Sequence, residues 1–453
     1  MNMRLTRLIV VVLTCVAALG TTWGAQAHNA SKTVTLKVAY QQFGPPPYAD
    51  GNWLKRVQTS LASSHSNISL KLIPVVASEG DYYTKIDLMM RSSSTAPDLV
   101  REDSFLVGSD VTAGYLAPLD SCLSSWKDYN AQWFPKMRTI TTFKGHIYGV
   151  MNGTDVRLIW YNKNIFKKAG LSTNWQPKSW NDILSAARTI KAKVKGVTPM
   201  NLYSGIANDE ASTMQGFEML LYGTKDPLYN YATKKWVVSS KGFADSLKFV
   251  QTVYDKKNLL GPTNDVVFNP QAGNIISNKL LPEGKLAIDI DGSWVPSTWR
   301  KGGSHPWPQW QQVLGHAKMP TEFGQAPHFV TLSGGWAYSI ASRSSNKSAA
   351  CQLLKTMNSR DQLARYDVDS GNIGPRKDEL SVPAYKNVPL SGFVTNLLNF
   401  TQFRPAFPEY PKVSTVIDEA MQNVMSGMSP DDAMRTYARK VTSIAGSGNV
   451  EKH

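Results

Sequence analysis

Polar and apolar positions alternate in "VTLKVAY", where Val34, Leu36, Val38 and Tyr40 share one face of a strand. A Gly/Pro-rich break, "FGPPPYADGN", separates it from the helix-like stretch "WLKRVQTSLASS". The strand "ISLKLIPV", the helix "YYTKIDLMMRSS" and the short strand "DLV" after Ala96-Pro97 follow. Strands and helices alternating at this spacing predict an α/β domain on a parallel sheet. The pattern then repeats. In "SWNDILSAARTIKAKVKG", Ser179 is placed as an N-cap with Asp182 three residues on. Ile183, Leu184, Ala187 and Ile190 form the apolar face, and Gly196 marks the stop. "FADSLKFVQTVYDKKN" predicts another amphipathic helix, and "KLAIDIDGSW" a strand running into a turn at Gly292. "STVIDEAMQNVMSG" and "SPDDAMRTYARKVTSI" predict two more helices, the second opened by Ser429-Pro430 with acids in its first turn. The absence of an internal repeat or a low-complexity linker fits two domains joined by several short crossings. A chain of 453 residues with 42% apolar content has the size for two.

The N-terminus decides the compartment. "MNMRLTR" carries two arginines and no acid, "LIVVVLTCVAALG" is an apolar run too short to span a membrane, and Ala25-Gln26-Ala27 ends it. This predicts a signal peptide over 1–27, cleavage after Ala27, and export with His28 as the first mature residue. Cys15 lies within the apolar run and lacks the small preceding residue of a lipoprotein signal, so no lipid anchor is expected. No later apolar run reaches 18 residues, so the mature protein is expected to be soluble. The formal charge of +15 suggests nucleic acid or an anionic ligand. Yet the lysines and arginines are scattered and no nucleic-acid motif interrupts them, so the charge reads as a solvated surface. Cys122 and Cys351 can pair in an oxidising compartment, a question the sequence leaves open.

Candidate chemistry narrows the classes. No nucleophile elbow, phosphate-binding loop, dinucleotide fingerprint or H-E-x-x-H motif is present, and the seven histidines show no metal-ligand spacing. Neither a catalytic residue, a metal nor a cofactor is expected. Glu102 and Asp103 are the adjacent acid pair worth testing as catalytic, but neighbours on a strand point to opposite faces. Aromatic placement is the positive signal. Trp294 follows "DGS" at a strand end, and Trp336 follows Gly334-Gly335 in "SGGWAYSI". Two glycines before a large ring serve either a tight strand entry with a core tryptophan or a platform where a flat ligand meets bare backbone. A sugar packs its C–H face on such a ring and offers hydroxyls to carboxylates, amides and guanidiniums at the edge. Trp160 and Tyr161 in "LIWYNK" read as core.

Several segments in order, among them "GHIYGVMNGTDVRLIWYNKNIFKKAGL", "AIDIDGSW", "SGGWAYSIASRSSNKSAACQLLKTM" and "FRPAFPEYPKVSTVIDEAMQNVMSGMSPDDAM", resemble the family of extracellular solute-binding proteins that includes the maltose-binding protein. The likeness runs over nearly the whole mature chain, and Y-N-K-x-x-F-x-x-A-G-L is its most specific block. It implies two α/β lobes, each a mixed or parallel sheet flanked by helices, with a ligand cleft between them. The motifs map lobe 1 to 28–150 and 331–374 and lobe 2 to 151–330 and 375–445, leaving 446–453 as a tail. The function implied is capture of a carbohydrate, a di- or oligosaccharide, for the membrane permease of an ABC importer, by a monomer. A secreted carbohydrate-active enzyme, or the same fold holding a glycerol phosphodiester, are the alternatives. Ferric ion would need clustered tyrosines and anions, and Tyr82-Tyr83, adjacent on a helix, serve better as packing. Carried over residue by residue, Asp155 matches an acid offered to sugar hydroxyls at the first crossing. Trp294 and Trp336 match stacking aromatics, with Gly334 and Gly335 facing the cleft. Arg404 resembles a basic ligand contact, and Glu102 or Asp103 a polar one. The first loop lacks the acid some relatives use, and Gln42 or Tyr48 are its substitutes. Asp155 could instead pair with Arg157, and Arg404 could be a structural salt bridge.

Overall fold

The computed structural model describes residues 33–65 and 67–453; the expected signal peptide lies outside them. The chain opens with β1 (Val34–Gln42), α1 (Ala49–Ser64), β2 (Ile68–Val76), α2 (Glu79–Met90), β3 (Leu99–Asp103) and β4 (Gly149–Thr154). With two residues between, it starts β5 (Arg157–Asn162), followed by α3 (Trp180–Lys193), β6 (Thr198–Asn201), α4 (Lys241–Val253), β7 (Leu286–Gly292) and β8 (Leu314–Ala317). It returns through β9 (Gly335–Ile340), α5 (Lys347–Met357) and α6 (Arg360–Ser370), and ends in α7 (Tyr410–Met425) and α8 (Pro430–Ala445).

Two sheets result, and each anchors a lobe. The first has the order β2-β1-β3-β9-β4, and the second β8-β5-β7-β6. β1 runs parallel to β2 and β3, and β6 parallel to β7. β9 is antiparallel to both its neighbours, and so is β5. Both sheets are therefore mixed: the helix-linked strands are parallel as the periodicity predicts, and the strands beside the crossings run against them. α1, α5 and α6 pack on the first sheet, where Trp53 stacks on Tyr366 with ring centroids 4.2 Å apart. α3, α4, α7 and α8 cover the second. Burying two apolar faces in this way supplies most of the driving force for each lobe. Trp160 and Tyr161 are buried on β5, matching the expectation that they are core. Ser179 and Asp182 form the reciprocal capping box that opens α3, and Ser429 accepts from Asp432 N to open α8.

Cys122 and Cys351 form a disulfide that ties the turn of helix at Asp120–Ser124 to α5. Residues 446–453, expected as a tail, carry a strand instead: Val450–Lys452 pairs in parallel with Lys235–Ser239. Among the described residues no helix is long and apolar enough to cross a membrane.

The crossings are stitched to one another. Thr154 exchanges backbone hydrogen bonds with Ile373 at 2.9 and 2.7 Å. Arg157 N donates to Thr331 Oγ1 at 3.0 Å, and Gly334 N to Asp155 Oδ1 at 2.8 Å. Ser333 Oγ lies 2.6 Å from Thr401 Oγ1. Main-chain groups leaving one sheet are thereby satisfied by those leaving the other, as buried backbone requires.

Candidate functional site

A cavity of about 440 Å³ lies between the two lobes, against the crossings. Its size is within the range of small-molecule sites, about 300–1,000 Å³. Strand ends and helix starts of both lobes point side chains into it. From the first lobe come Asp50 at the start of α1, Glu79 at the start of α2, Arg101 and Asp103 at the end of β3, and Trp336 on β9. From the second come Arg157 on β5, Glu210 in the segment after β6, Asp291 on β7 and Trp294 just beyond it.

Two similar constellations face each other. The Arg101 guanidinium lies 3.7 Å from the centre of the Trp336 ring, and its Nε is 3.0 Å from Asp50 Oδ1. The Arg157 guanidinium lies 4.8 Å from the centre of the Trp294 ring and is paired with Asp155. Each is an indole carrying a planar cation that an aspartate holds in place, an arrangement to which Arg is better suited than Lys. Burial lowers the tendency of Arg101 to stay charged, but Asp50 more than offsets this and its pKa ends above the ordinary value. Burial raises the Asp50 carboxyl, against the pull of Arg101.

The glycines before Trp336 have a use within the protein. Gly335 has φ +144°, and a Cβ there would come 2.5 Å from the Gly153 carbonyl oxygen of β4. A Cβ on Gly334 would come 2.9 Å from Arg404 Nη2. The bare backbone lets two crossings and an arginine approach one another, and both glycines also line the cavity. Gly292 is similar: a Cβ would sit 1.9 Å from Cζ3 of Trp294, so this ring lies flat against the strand that precedes it.

Arg404 organises the third group. Its Nη2 is 2.5 Å from Asp103 Oδ1 and its Nη1 2.8 Å from Glu210 Oε2, while the guanidinium covers the Phe105 ring at 4.3 Å. Tyr83 donates to Glu79 at 2.6 Å and to Asp103 at 3.0 Å. Glu79 is pushed up to about 7 by burial and by Asp103, and Glu218 to about 8 by burial and Glu210. Asp291 rises to about 6 through burial, though it accepts from Gly292 N and Tyr203 Oη. Among the described residues, eight carboxylates line the cavity against four guanidiniums, with no lysine or histidine. Every one of the four guanidiniums has a carboxylate partner.

Of the residues expected from sequence, Asp103, Asp155, Trp294, Gly334, Gly335, Trp336 and Arg404 line this cavity. Glu102 does not. It points to the opposite face of β3, fully buried among Asp110 and Asp87, and that company together with burial raises its pKa well above the ordinary value. Period-two alternation puts it there, with Arg101 and Asp103 on the cavity side. Gln42 and Tyr48 line a neighbouring groove rather than the cavity, and Gln41 and Asp50 occupy the cavity wall in their stead. The pairings weighed against direct ligand contact are both present: Asp155 with Arg157, and Arg404 with acids. Sequence reasoning missed Arg101 and Asp50, and named Arg157 only as a partner for Asp155. Alternation on β3 pointed to Arg101 once Asp103 was chosen, whereas no local signal links Asp50 to Arg101.

The pattern of the bacterial extracellular solute-binding protein family matches residues 45–364. The chain belongs to this family. This solute-binding protein is 23% identical over 415 residues to the galactooligosaccharide-binding protein of Bacillus subtilis (strain 168), spanning 91% of this chain and 89% of that one. It superposes on an ABC transporter solute-binding protein from Thermotoga lettingae, bound with α-D-tagatose, with a TM-score of 0.77 at 25% identity, covering 91% of this chain and 100% of that one. Maltose-bound MalE3 of T. maritima gives 0.77 at 18% identity over 90% of this chain and 99% of that one, a likeness of fold. Two α/β lobes with a cleft between them are thus the shared architecture.

Proposed function

We propose that this solute-binding protein captures a carbohydrate between its lobes as a monomer and passes it unchanged to the membrane permease of an ABC importer. The observation that carries the reading is the pair of indoles, Trp294 and Trp336, each partly exposed in the cavity and each edged by an arginine–aspartate pair. In this reading the sugar's C–H face packs on the part of each indole left exposed in the cavity, beside its guanidinium. The sugar's hydroxyls then meet Asp50, Asp155 and the free guanidinium hydrogens. The family and the sugar-bound relatives support the same ligand class. A phosphodiester is disfavoured, because the carboxylates outnumber the guanidiniums two to one and each guanidinium is already paired.

A thermal-shift screen across mono-, di- and oligosaccharides tests this. A sugar at 100 times its Kd adds roughly 2.7 kcal/mol to stability. Small-angle scattering with the hit should show compaction, the hinge closure that general treatments of such motions illustrate with periplasmic binding proteins. Sugar recovered intact after long incubation supports binding without reaction, and cleaved sugar would assign the site to an enzyme. A screen in which glycerol phosphodiesters shift the melt and sugars do not would overturn the carbohydrate reading.

A further inference from the structure

Three of the acids along the cavity lack a cation. The guanidiniums there pair with Asp50, Asp103, Asp155, Glu210 and Asp369, while among the described residues Glu79, Asp209 and Asp291 lie in no ion pair. Both oxygens of Asp291 are engaged, by Gly292 N and Tyr203 Oη. The other two acids differ. Glu79 Oε1 accepts from Tyr83 at 2.6 Å and Asp209 Oδ2 accepts from Gly80 N at 3.2 Å. Their second oxygens, Oε2 and Oδ1, accept nothing among the described residues. The two acids come from different lobes and meet at the start of α2. Glu79 is the first residue of that helix, and a Cβ on Gly80 would come 2.7 Å from Asp209 Oδ2. A helix start answers an anion with roughly half an elementary charge. Three carboxylates gather there, because Asp81 also lies in the first turn, so capping leaves an excess of negative charge. Asp103 and Glu210 stand close by, already sharing Arg404. Burial and Asp103 push Glu79 up to about 7, and burial, with Glu210 and Asp81, raises Asp209.

We propose that this corner of the cavity receives a protonated amine on Glu79 and Asp209, so that the carbohydrate bound is an amino sugar with its amine free. The inference rests on the carbohydrate reading of the cavity and adds the charge of the sugar. A hydroxyl supplies one donor and leaves the excess charge in place. An ammonium supplies three donors and cancels part of that excess, and its hydrogen bonds to carboxylates are charge-assisted. N-acetylation would remove the charge and set a carbonyl acceptor against acids that need donors. The rest of the sugar keeps the contacts with Trp294 and Trp336 already described.

Calorimetric titration at about pH 6.5, where an amine stays protonated, tests this with matched trios. These are glucose, glucosamine and N-acetylglucosamine; galactose, galactosamine and N-acetylgalactosamine; and cellobiose with the glucosamine and N-acetylglucosamine dimers. Spermidine serves as an amine without a sugar. The proteins are the wild type, Glu79→Gln and Asp209→Asn. Glutamine keeps an acceptor for Tyr83, and asparagine tolerates the φ of +45° at position 209 while still accepting from Gly80 N. Each variant thus removes charge and preserves the local hydrogen bond. The expected result is an amine that binds the wild type about tenfold or more tighter than both other members of its trio. In each variant that preference falls about tenfold, while affinity for the neutral sugar stays within about threefold. If Glu79→Gln melts early without sugar, Asp209→Asn carries the comparison. A neutral sugar that binds as tightly as its amine, or a preference untouched by both variants, overturns the amino-sugar assignment and leaves the carbohydrate reading standing. No binding by any trio overturns the assignment as well, and spermidine bound in place of every sugar overturns both readings.

Discussion

Replacing Arg404 with methionine keeps an apolar stem of similar reach and removes the cation that answers Asp103 and Glu210 together. None of the three side chains is more than 8% exposed. Breaking a buried ion pair by removing one partner costs about 3–5 kcal/mol, because the survivor stays charged in a poor solvent. Here two carboxylates survive, so the upper end applies, a large part of a typical total of roughly 5–15 kcal/mol. The loss should also depend on pH. Glu79 titrates near 7 and Glu218 near 8 in the folded protein, both raised chiefly by burial and both held down by Arg404. A carboxyl raised on folding contributes stability that is complete below its unfolded pKa and is lost as pH climbs through the folded value. Without Arg404 both folded values move higher, so the variant keeps losing stability above pH 7–8 where the wild type has levelled off. Urea denaturation at pH 5.5 and 8.5 should therefore show a deficit at both, wider at 8.5. A variant as stable as the wild type would refute the structural pairing and return Arg404 to a purely ligand-facing role. An equal deficit at both pH values would refute its coupling to Glu79 and Glu218.

Gly292→Ala must displace the Trp294 indole from its seat, and affinity for the identified sugar should fall about tenfold or more by calorimetry, with a smaller change in melting. Cys122→Ser with Cys351→Ser opens a loop closed across 229 residues, a loss of about 5 kcal/mol in the chain-entropy account. Denaturation midpoints with and without reductant read that loss directly, and free-thiol titration of the native mature protein should find none. Intact-mass measurement of the exported protein should place its first residue at His28 with no acyl group.

Periodicity carried most of the fold, because alternation and helical spacing are properties of consecutive residues. The strands at 34–42 and 286–292 and the capped helix from Trp180 were readable for that reason. The strand at 450–452 was not, since three residues carry no period and their partner, Lys235–Ser239, is remote in sequence. The site divided the same way. Trp294 and Trp336 stood out beside their glycines. The partnership of Asp50 with Arg101, or of Arg404 with Glu210, exists only when α1 meets β3 and when residue 404 meets the second lobe. Keeping Glu102 beside Asp103 went against the strand rule that separates them. The ion pairs of Asp155 with Arg157 and of Arg404 with an acid were readable as alternatives to ligand contact, and folding makes both.

The position of β9 within the first sheet has a consequence for how the chain acquires its structure. It separates β3 from β4, and it pairs Trp336 with Asp103 across the entire strand content of the second sheet. As the polypeptide is made and exported, β1, β2 and β3 emerge early with one flank open, and β4 emerges with nothing beside it. Closing such long intervals is entropically slow, and open strand flanks invite pairing with other chains. The second sheet draws all four of its strands from one continuous stretch, 157–317, and so has no such wait. The sheet whose strands begin first is therefore the one closed second, by the insertion of "GWAYSI" as the lath between two strands already made.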